Sequence, residues 1–198
     1  MPNYYYPMNI VILDGFTANP GDLSWKPLEA YGSLTVYDRT GPLELIERAQ
    51  DAHILLTNKV AIGRDIFDML TRLRYVGVLA TGYSIVDTEY AQILGIPVTN
   101  IPSYSTPSGA QQVLAFILNH TNAVELHSQS VAKGDWVNFQ DFSYSLSTLT
   151  DLKGKTLGLF GYGEIGRQVA LLARAFGMNV AVSRKTDGSA PRKFREEE

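Results

Sequence analysis

The chain has 198 residues, 45% hydrophobic and 19% charged, enough to bury a core in one large domain or two small ones. A formal net charge of −3 and a pI near 5.6 give no basic field for nucleic acid or an anionic membrane. The absence of cysteine excludes disulfides, thiolate metal sites and cysteine nucleophiles.

The opening stretch "MPNYYYPMNIVILDG" lacks a basic run, and its apolar residues 10–13 are far too few for a signal core or a membrane span. A cytoplasmic protein with neither a membrane nor a nucleic acid as partner is expected. Short apolar runs then recur at 10–13, 54–56, 76–79, 157–160 and 180–182, as buried parallel strands require. In "EAYGSLTVY", "QILGIPVTN" and "RAFGMNVAV", Gly32, Gly95 and Gly177 each follow a helical stretch and precede a strand, where a left-handed glycine stops the helix. Three such joints predict an alternating α/β architecture.

From Ala110 to about Lys133 there is neither proline nor glycine, and Ala110, Val113, Leu114, Ile117, Leu118, Thr121, Val124, Ser128 and Val131 keep helical spacing. The pattern predicts one helix of about 36 Å. Residues 134–155 mix aromatics and hydroxyls without a period and read as a packed boundary loop. Two units are therefore expected, 1–104 and 105–198.

"LFGYGEIGRQVA" places Gly161, Gly163 and Gly166 in G-x-G-x-x-G, after a strand and before a helix whose expected apolar face is Ile165, Val169, Leu172 and Phe176. In such a turn Gly161 permits the tight bend, Gly163 the close approach of backbone to a pyrophosphate, and Gly166 the packing of helix on strand. Tyr162, Glu164 and Ile165 complete the candidate cofactor loop. The competing reading is an αβ turn without ligand. "GKT" at residues 154–156 is not a nucleoside-triphosphate loop, because Leu149 stands where the earlier glycine is needed and the residues precede the strand.

The second strand of a dinucleotide fold commonly ends in an acid that binds the ribose hydroxyls. Here "NVAVSRKT" puts Ser183, Arg184 and Lys185 at that point, and a guanidinium grips a 2′-phosphate that a carboxylate repels. NADP is the expected cofactor and NAD the alternative; the competing reading makes Arg184 an exposed loop cation.

"VLATGYSIVDTEYAQILGIPVTNIPSYSTPSGAQQVLAFILN" followed by "LKGKTLGLFGYGEIGRQVALLARAFGMNV" resembles the D-isomer-specific 2-hydroxyacid dehydrogenases, above all the glycerate, hydroxypyruvate and glyoxylate reductases. The match runs from about Asn9 to Lys185. The resemblance implies a flavodoxin-like substrate domain in 1–104 and, in 105–198, the long helix with the first part of a Rossmann NAD(P)-binding domain. It implies hydride transfer between a nicotinamide and a small 2-oxo or 2-hydroxy acid such as hydroxypyruvate or glyoxylate. By position, Thr81, Gly82 and Tyr83 match the turn whose amides receive the substrate carboxylate, and Ser105 falls near a polar cleft position. Read alone, "TGYS" is also an ordinary strand-to-helix turn.

Gly109 departs from the family, which commonly has a larger residue there; a glycine costs about 0.5–1 kcal/mol of helix stability and is expected to leave a gap near the nicotinamide. The family's arginine, glutamate and histidine motifs lie downstream of the second Rossmann strand, and "DGSAPRKFREEE" offers no counterpart. No catalytic residue is assigned, and a C-terminally truncated, catalytically incomplete chain is expected. His53, His120 and His127 are read as structural or surface residues, no metal site is expected, and the tail from Arg184 reads as a solvated end. A homodimer through the long helix and the aromatic loop is the family's implied assembly. The alternative is a non-catalytic NAD(P)-binding or partner-binding module, or an inactive fragment.

Overall fold

The computed structural model describes residues 8–183 and the backbone of a strand at Phe194–Glu196. The chain divides into two compact units, Met1–Tyr104 and Ser105–Glu198.

In the first unit β1 (Met8–Ile12), β2 (Gly32–Val36), β3 (Ile54–Thr57), β4 (Tyr75–Val78) and β5 (Val98–Thr99) alternate with α1 (Gly15–Ala18), a 3-10 helix (Lys26–Tyr31), α2 (Leu45–Ala49), α3 (Arg64–Met69) and α4 (Thr88–Ile93). The strands form one parallel sheet in the order β2-β1-β3-β4-β5, the flavodoxin-like order, in which the chain reverses direction between β1 and β3. Successive strand residues point to opposite faces, and both faces are covered. Val11, Leu55, Val76 and Val78 pack with Leu45, Phe67 and Leu70, while Ile10, Ile12 and Leu56 pack with Trp25 and Leu28. Gly95 has the left-handed conformation (φ 70°). Gly32 is instead nearly extended (φ 159°, ψ −169°), and a Cβ there would lie 1.9 Å from the carbonyl oxygen of Met8, so it is close approach that demands glycine.

Helix α4 is capped by Asp87, whose side chain accepts from the N–H of Tyr90 at 2.9 Å. The Tyr90 hydroxyl donates to Asp68 of α3 at 2.6 Å, and the Arg64 guanidinium lies 4.4 Å from its ring centroid. The hydrogen bond to Asp68, followed by burial and the Asp68 charge, holds the phenol above its ordinary value of 10.0. Pinning α4 to α3 in this way fixes the far end of the turn that links β4 to α4.

The second unit comprises α5 (Thr106–Asn122), α6 (Val124–Ala132), β6 (Thr156–Phe160), α7 (Glu164–Ala175), β7 (Asn179–Ser183) and β8 (Phe194–Glu196). The sheet order is β6-β7-β8, with β6 parallel and β8 antiparallel to β7. Four expectations are corrected here. The long helix is two helices, divided at Ala123, which takes a left-handed conformation (φ 45°, ψ 45°). Such an alanine costs about 1–2 kcal/mol. The carbonyl of Thr121, which a continuous helix would need, accepts instead from Thr150 of the returning loop at 3.1 Å. Secondly, the buried stripe of α7 is Val169, Ala170 and Ala173, whereas Ile165 and Phe176 are 46% and 45% exposed. Alanines bring the helix close to the sheet, and the bulkier residues sit at its margins. Thirdly, β6 is buried on one face only: Leu157 and Leu159 meet α5 and α7, while Phe160 is 71% exposed. Lastly, the charged tail contributes β8, since ladder hydrogen bonds at the edge of β7 need backbone groups and no apolar side chains.

Among the described residues no helix is long and apolar enough to cross a membrane.

Candidate functional site

The glycine loop follows from the parallel pairing of β6 with β7, whose register runs from Thr156↔Asn179 to Phe160↔Ser183. At the end of β6 the chain must turn at once into α7, and Gly161 does so with φ 100°. Gly163 is the N-cap of α7 in an extended conformation (φ −77°, ψ −165°), and a Cβ built there meets no atom within 4 Å. A Cβ at Gly166 would lie 2.9 Å from the carbonyl oxygen of Gly161, so this glycine lets the first turn of the helix rest on the loop. The first intrahelical bond runs from the N–H of Arg167 to Gly163 O at 2.9 Å, and the amides before it face outward, as at any helix start. The Arg167 guanidinium donates to Tyr162 O at 3.2 Å and tightens the turn. Thr106 Oγ1 donates to the Glu164 carboxylate at 3.4 Å. Ile165 packs on α5, where a Cβ on Gly109 would meet its Cδ1 at 3.5 Å; Ile165 thus fills the gap expected at Gly109.

Open backbone above Gly163, a helix start behind it and a steric need for Gly166 are what a pyrophosphate-binding loop requires. The residues fit a dinucleotide. Ser183 ends β7 at 2% exposure, and among the described residues its Oγ has no hydrogen-bond partner. A buried hydroxyl of this kind costs about 1–3 kcal/mol until it is satisfied. Arg184 and Lys185 lie outside the described residues.

In the first unit the turn at Thr81, Gly82 and Tyr83 stands at the carboxyl end of β4, beside the β3–α3 loop. The parallel bridge Ile62↔Val86 joins the two loops, with Ile62 N donating to Ile85 O at 2.9 Å and Asp87 N to Ile62 O at 3.0 Å. The turn is held from behind: Asn100 Nδ2 donates to Thr81 O at 2.8 Å, Thr81 Oγ1 to Ile101 O at 3.2 Å, and Ile101 N to Ala80 O at 3.1 Å. The N–H groups of Thr81, Gly82 and Tyr83 make no hydrogen bond among the described residues. A Cβ on Gly82 would meet nothing within 4 Å. A braced turn with free amides is suited to an anion. Ser105 is the N-cap residue of α5, accepting at its carbonyl from Gly109 N at 2.8 Å and making no side-chain cap bond.

A buried network that the sequence reading missed lies at the end of β1. Asp14 is 3% exposed and its carboxylate accepts from Asn58 N at 2.8 Å, Lys59 N at 2.6 Å and Thr17 Oγ1 at 3.3 Å. Asn58 Nδ2 donates to Thr17 Oγ1 at 2.9 Å. The available signal was an acid directly after a strand run, in "IVILDG".

Two of the three histidines serve backbone groups. His53 Nδ1 accepts from Asn9 N at 3.0 Å; His127 Nε2 accepts from Leu146 N at 3.0 Å, which leaves its Nδ1 as donor to Ala123 O at 2.9 Å. His120 is exposed on α5. Among the described residues no group of three or more histidine, cysteine, aspartate or glutamate side chains could hold a metal ion.

Comparison with known proteins agrees with this architecture. The hydroxypyruvate reductase of Blautia hydrogenotrophica is 46% identical over 176 residues, which are 87% of this chain and 55% of that protein. The TT0316 protein of Thermus thermophilus superposes with a TM-score of 0.73 at 29% identity, over 93% of this chain and 58% of its own. An acyclic imino acid reductase (Bsp5), solved with NADPH and D-Arg, gives a TM-score of 0.73 at 26% identity, over 92% and 58% respectively. The chain spans about half the length of the curated relatives it matches. Residues 10–184 match the model of the D-isomer specific 2-hydroxyacid dehydrogenase catalytic domain, and the chain belongs to that family.

Proposed function

We propose that this chain carries the substrate turn and the dinucleotide loop of an NAD(P)-dependent D-2-hydroxyacid dehydrogenase that reduces a small 2-oxo acid such as hydroxypyruvate or glyoxylate. The observation that carries the reading is the glycine loop, where open backbone at Gly163 and close packing at Gly166 occur together. Family membership and the NADPH in the imino acid reductase complex support a nicotinamide cofactor. When bound, that cofactor supplies the hydride. Gly161, Tyr162, Gly163, Glu164, Ile165 and Gly166 then seat its pyrophosphate, and Ser183, Arg184 and Lys185 receive the adenosine ribose, with NADP preferred over NAD. Thr81, Gly82 and Tyr83 orient the substrate by its carboxylate, with Ser105 as a further polar contact. Residues 1–104 form the substrate domain and 105–198 the cofactor-binding part.

Titration of the fluorescence of NADPH and NADH tests the cofactor assignment. NADPH binds the unmodified chain more tightly, and Arg184→Asp weakens NADPH at least about tenfold while leaving NADH equal or improved, as loss of a charge-assisted hydrogen bond requires. Equal affinities, insensitive to Arg184→Asp, overturn the preference; failure to bind either cofactor overturns the loop assignment.

A further inference from the structure

The first unit contains a cavity of about 670 Å³ at the carboxyl ends of β1, β2 and β3. It is separate from the Thr81–Gly82–Tyr83 turn in its lining, which includes Thr17, Arg39, Pro42, Leu45, Lys59 and Ile66. Its place is the point where the strand order reverses, which is where open parallel sheets bind ligands. Its volume and its largely apolar wall are those of a small-molecule site.

Both polar walls are held in place by hydrogen bonds. The β3–α3 wall hangs on Asp14, which takes the amides of Asn58 and Lys59. The β2–α2 wall hangs on Arg48, whose Nη1 donates to Arg39 O at 2.6 Å and to Thr40 Oγ1 at 3.0 Å; Thr40 Oγ1 in turn donates to Leu13 O. The Arg39 guanidinium rests 4.3 Å from the centroid of the Phe16 ring, so it is oriented without being neutralised. The described residues offer neither Arg39 nor Lys59 a carboxylate within ion-pair distance. Two acids also line the wall: Asp14, whose carboxylate takes the amides of Asn58 and Lys59, and Asp65, whose Oδ1 stands beside Gly63. Two cations that the described residues leave without an ion pair, over an apolar floor and with Asp14 already engaged by backbone amides, match a ligand with a negative head and an apolar body.

We propose that this cavity binds a small organic carboxylate, its head between Arg39 and Lys59 and its body against Pro42, Leu45, Val60 and Ile66. The site stands independently of the cofactor assignment. The β3–α3 loop is both a wall of the cavity and, through Ile62, the bridged neighbour of the turn at Thr81–Tyr83, so occupancy of one is sensed at the other.

The test is a two-dimensional amide NMR titration of the full chain with isobutyrate, and with isobutyramide as a neutral probe of the same shape. Isobutyrate shifts the amides of Thr40, Lys59 and Ala61, isobutyramide binds at least about tenfold more weakly, and the double variant Arg39→Gln/Lys59→Gln loses at least about tenfold in isobutyrate affinity. Both substituted side chains are exposed, and unchanged amide positions elsewhere in the variant spectrum establish that the fold is kept. Titration with hydroxypyruvate then separates two sources of the carboxylate. Two binding constants, one at Gly82 and another at Lys59, identify a ligand of the cavity separate from the one at the turn and support the site; one shared constant, which the bridge between the loops produces with the cavity empty, overturns it. Shifts confined to Thr81–Tyr83, equal binding of isobutyramide, or an affinity unchanged in the double variant overturns it.

Discussion

Two glycines in the proposed dinucleotide loop, three residues apart, ought to fail in opposite ways. A valine at Gly163 meets no protein atom within 4 Å of its Cβ, and the backbone there (φ −77°, ψ −165°) is open to any residue. Its cost to folding is limited to a poorer N-cap, about 1 kcal/mol at most. On the proposed assignment the same side chain occupies the space through which a pyrophosphate reaches the loop amides. Loss of two charge-assisted hydrogen bonds at about 1.5–3 kcal/mol each weakens NADPH and NADH alike by at least about a hundredfold. Gly166→Ala places its Cβ 2.9 Å from a backbone oxygen that cannot swing aside. Overpacking of this kind costs about 1–3 kcal/mol, against the ~1 kcal/mol that alanine gains within a helix. A net loss of up to about 2 kcal/mol follows. Urea unfolding followed by circular dichroism measures the stabilities, and fluorescence titration of each reduced cofactor measures binding. Gly163→Val with parental affinity for both cofactors would refute the pyrophosphate assignment, and Gly166→Ala at least as stable as the parent would refute the packing argument.

Gly109→Ala is expected to stabilise the chain by about 0.5–1 kcal/mol, because its Cβ would make an ordinary 3.5 Å contact with Ile165 and the helix loses a flexible residue; thermal unfolding reads the gain. Asp14→Asn turns one acceptor of the buried network into a donor facing an amide and should cost about 1–3 kcal/mol by urea unfolding; a smaller loss would mean that water replaces the carboxylate. Trp136, Val137, Phe139 and Phe142 are 51%, 87%, 47% and 91% exposed on the segment after α6, an apolar surface suited to self-association. Sedimentation should report a homodimer that Phe142→Asp weakens.

What was legible in the sequence was whatever depends on a residue and its chain neighbours. Parallel strands covered on both faces need unbroken apolar runs, so β1, β3 and β4 stood out, and Gly95 and Gly177 marked helix ends because a left-handed turn is a local property. The break at Ala123 was invisible because the amide that takes the Thr121 carbonyl belongs to Thr150, on a loop that returns from far along the chain. Asp14 is illegible for the same reason: two of its donors stand on the turn after β3, and an acid at the end of a strand looks like any other until the sheet brings that turn beside it. Gly161, Gly163 and Gly166 lie between these cases. Their spacing announces the loop, yet the physical need differs at each: a positive φ at Gly161, open space at Gly163, and a backbone oxygen 2.9 Å away at Gly166. Only the first is a matter of local conformation. The second is a demand that the protein's own packing does not make, and on the proposed assignment it is the pyrophosphate that makes it, which is why Gly163→Val is the substitution that separates ligand binding from folding.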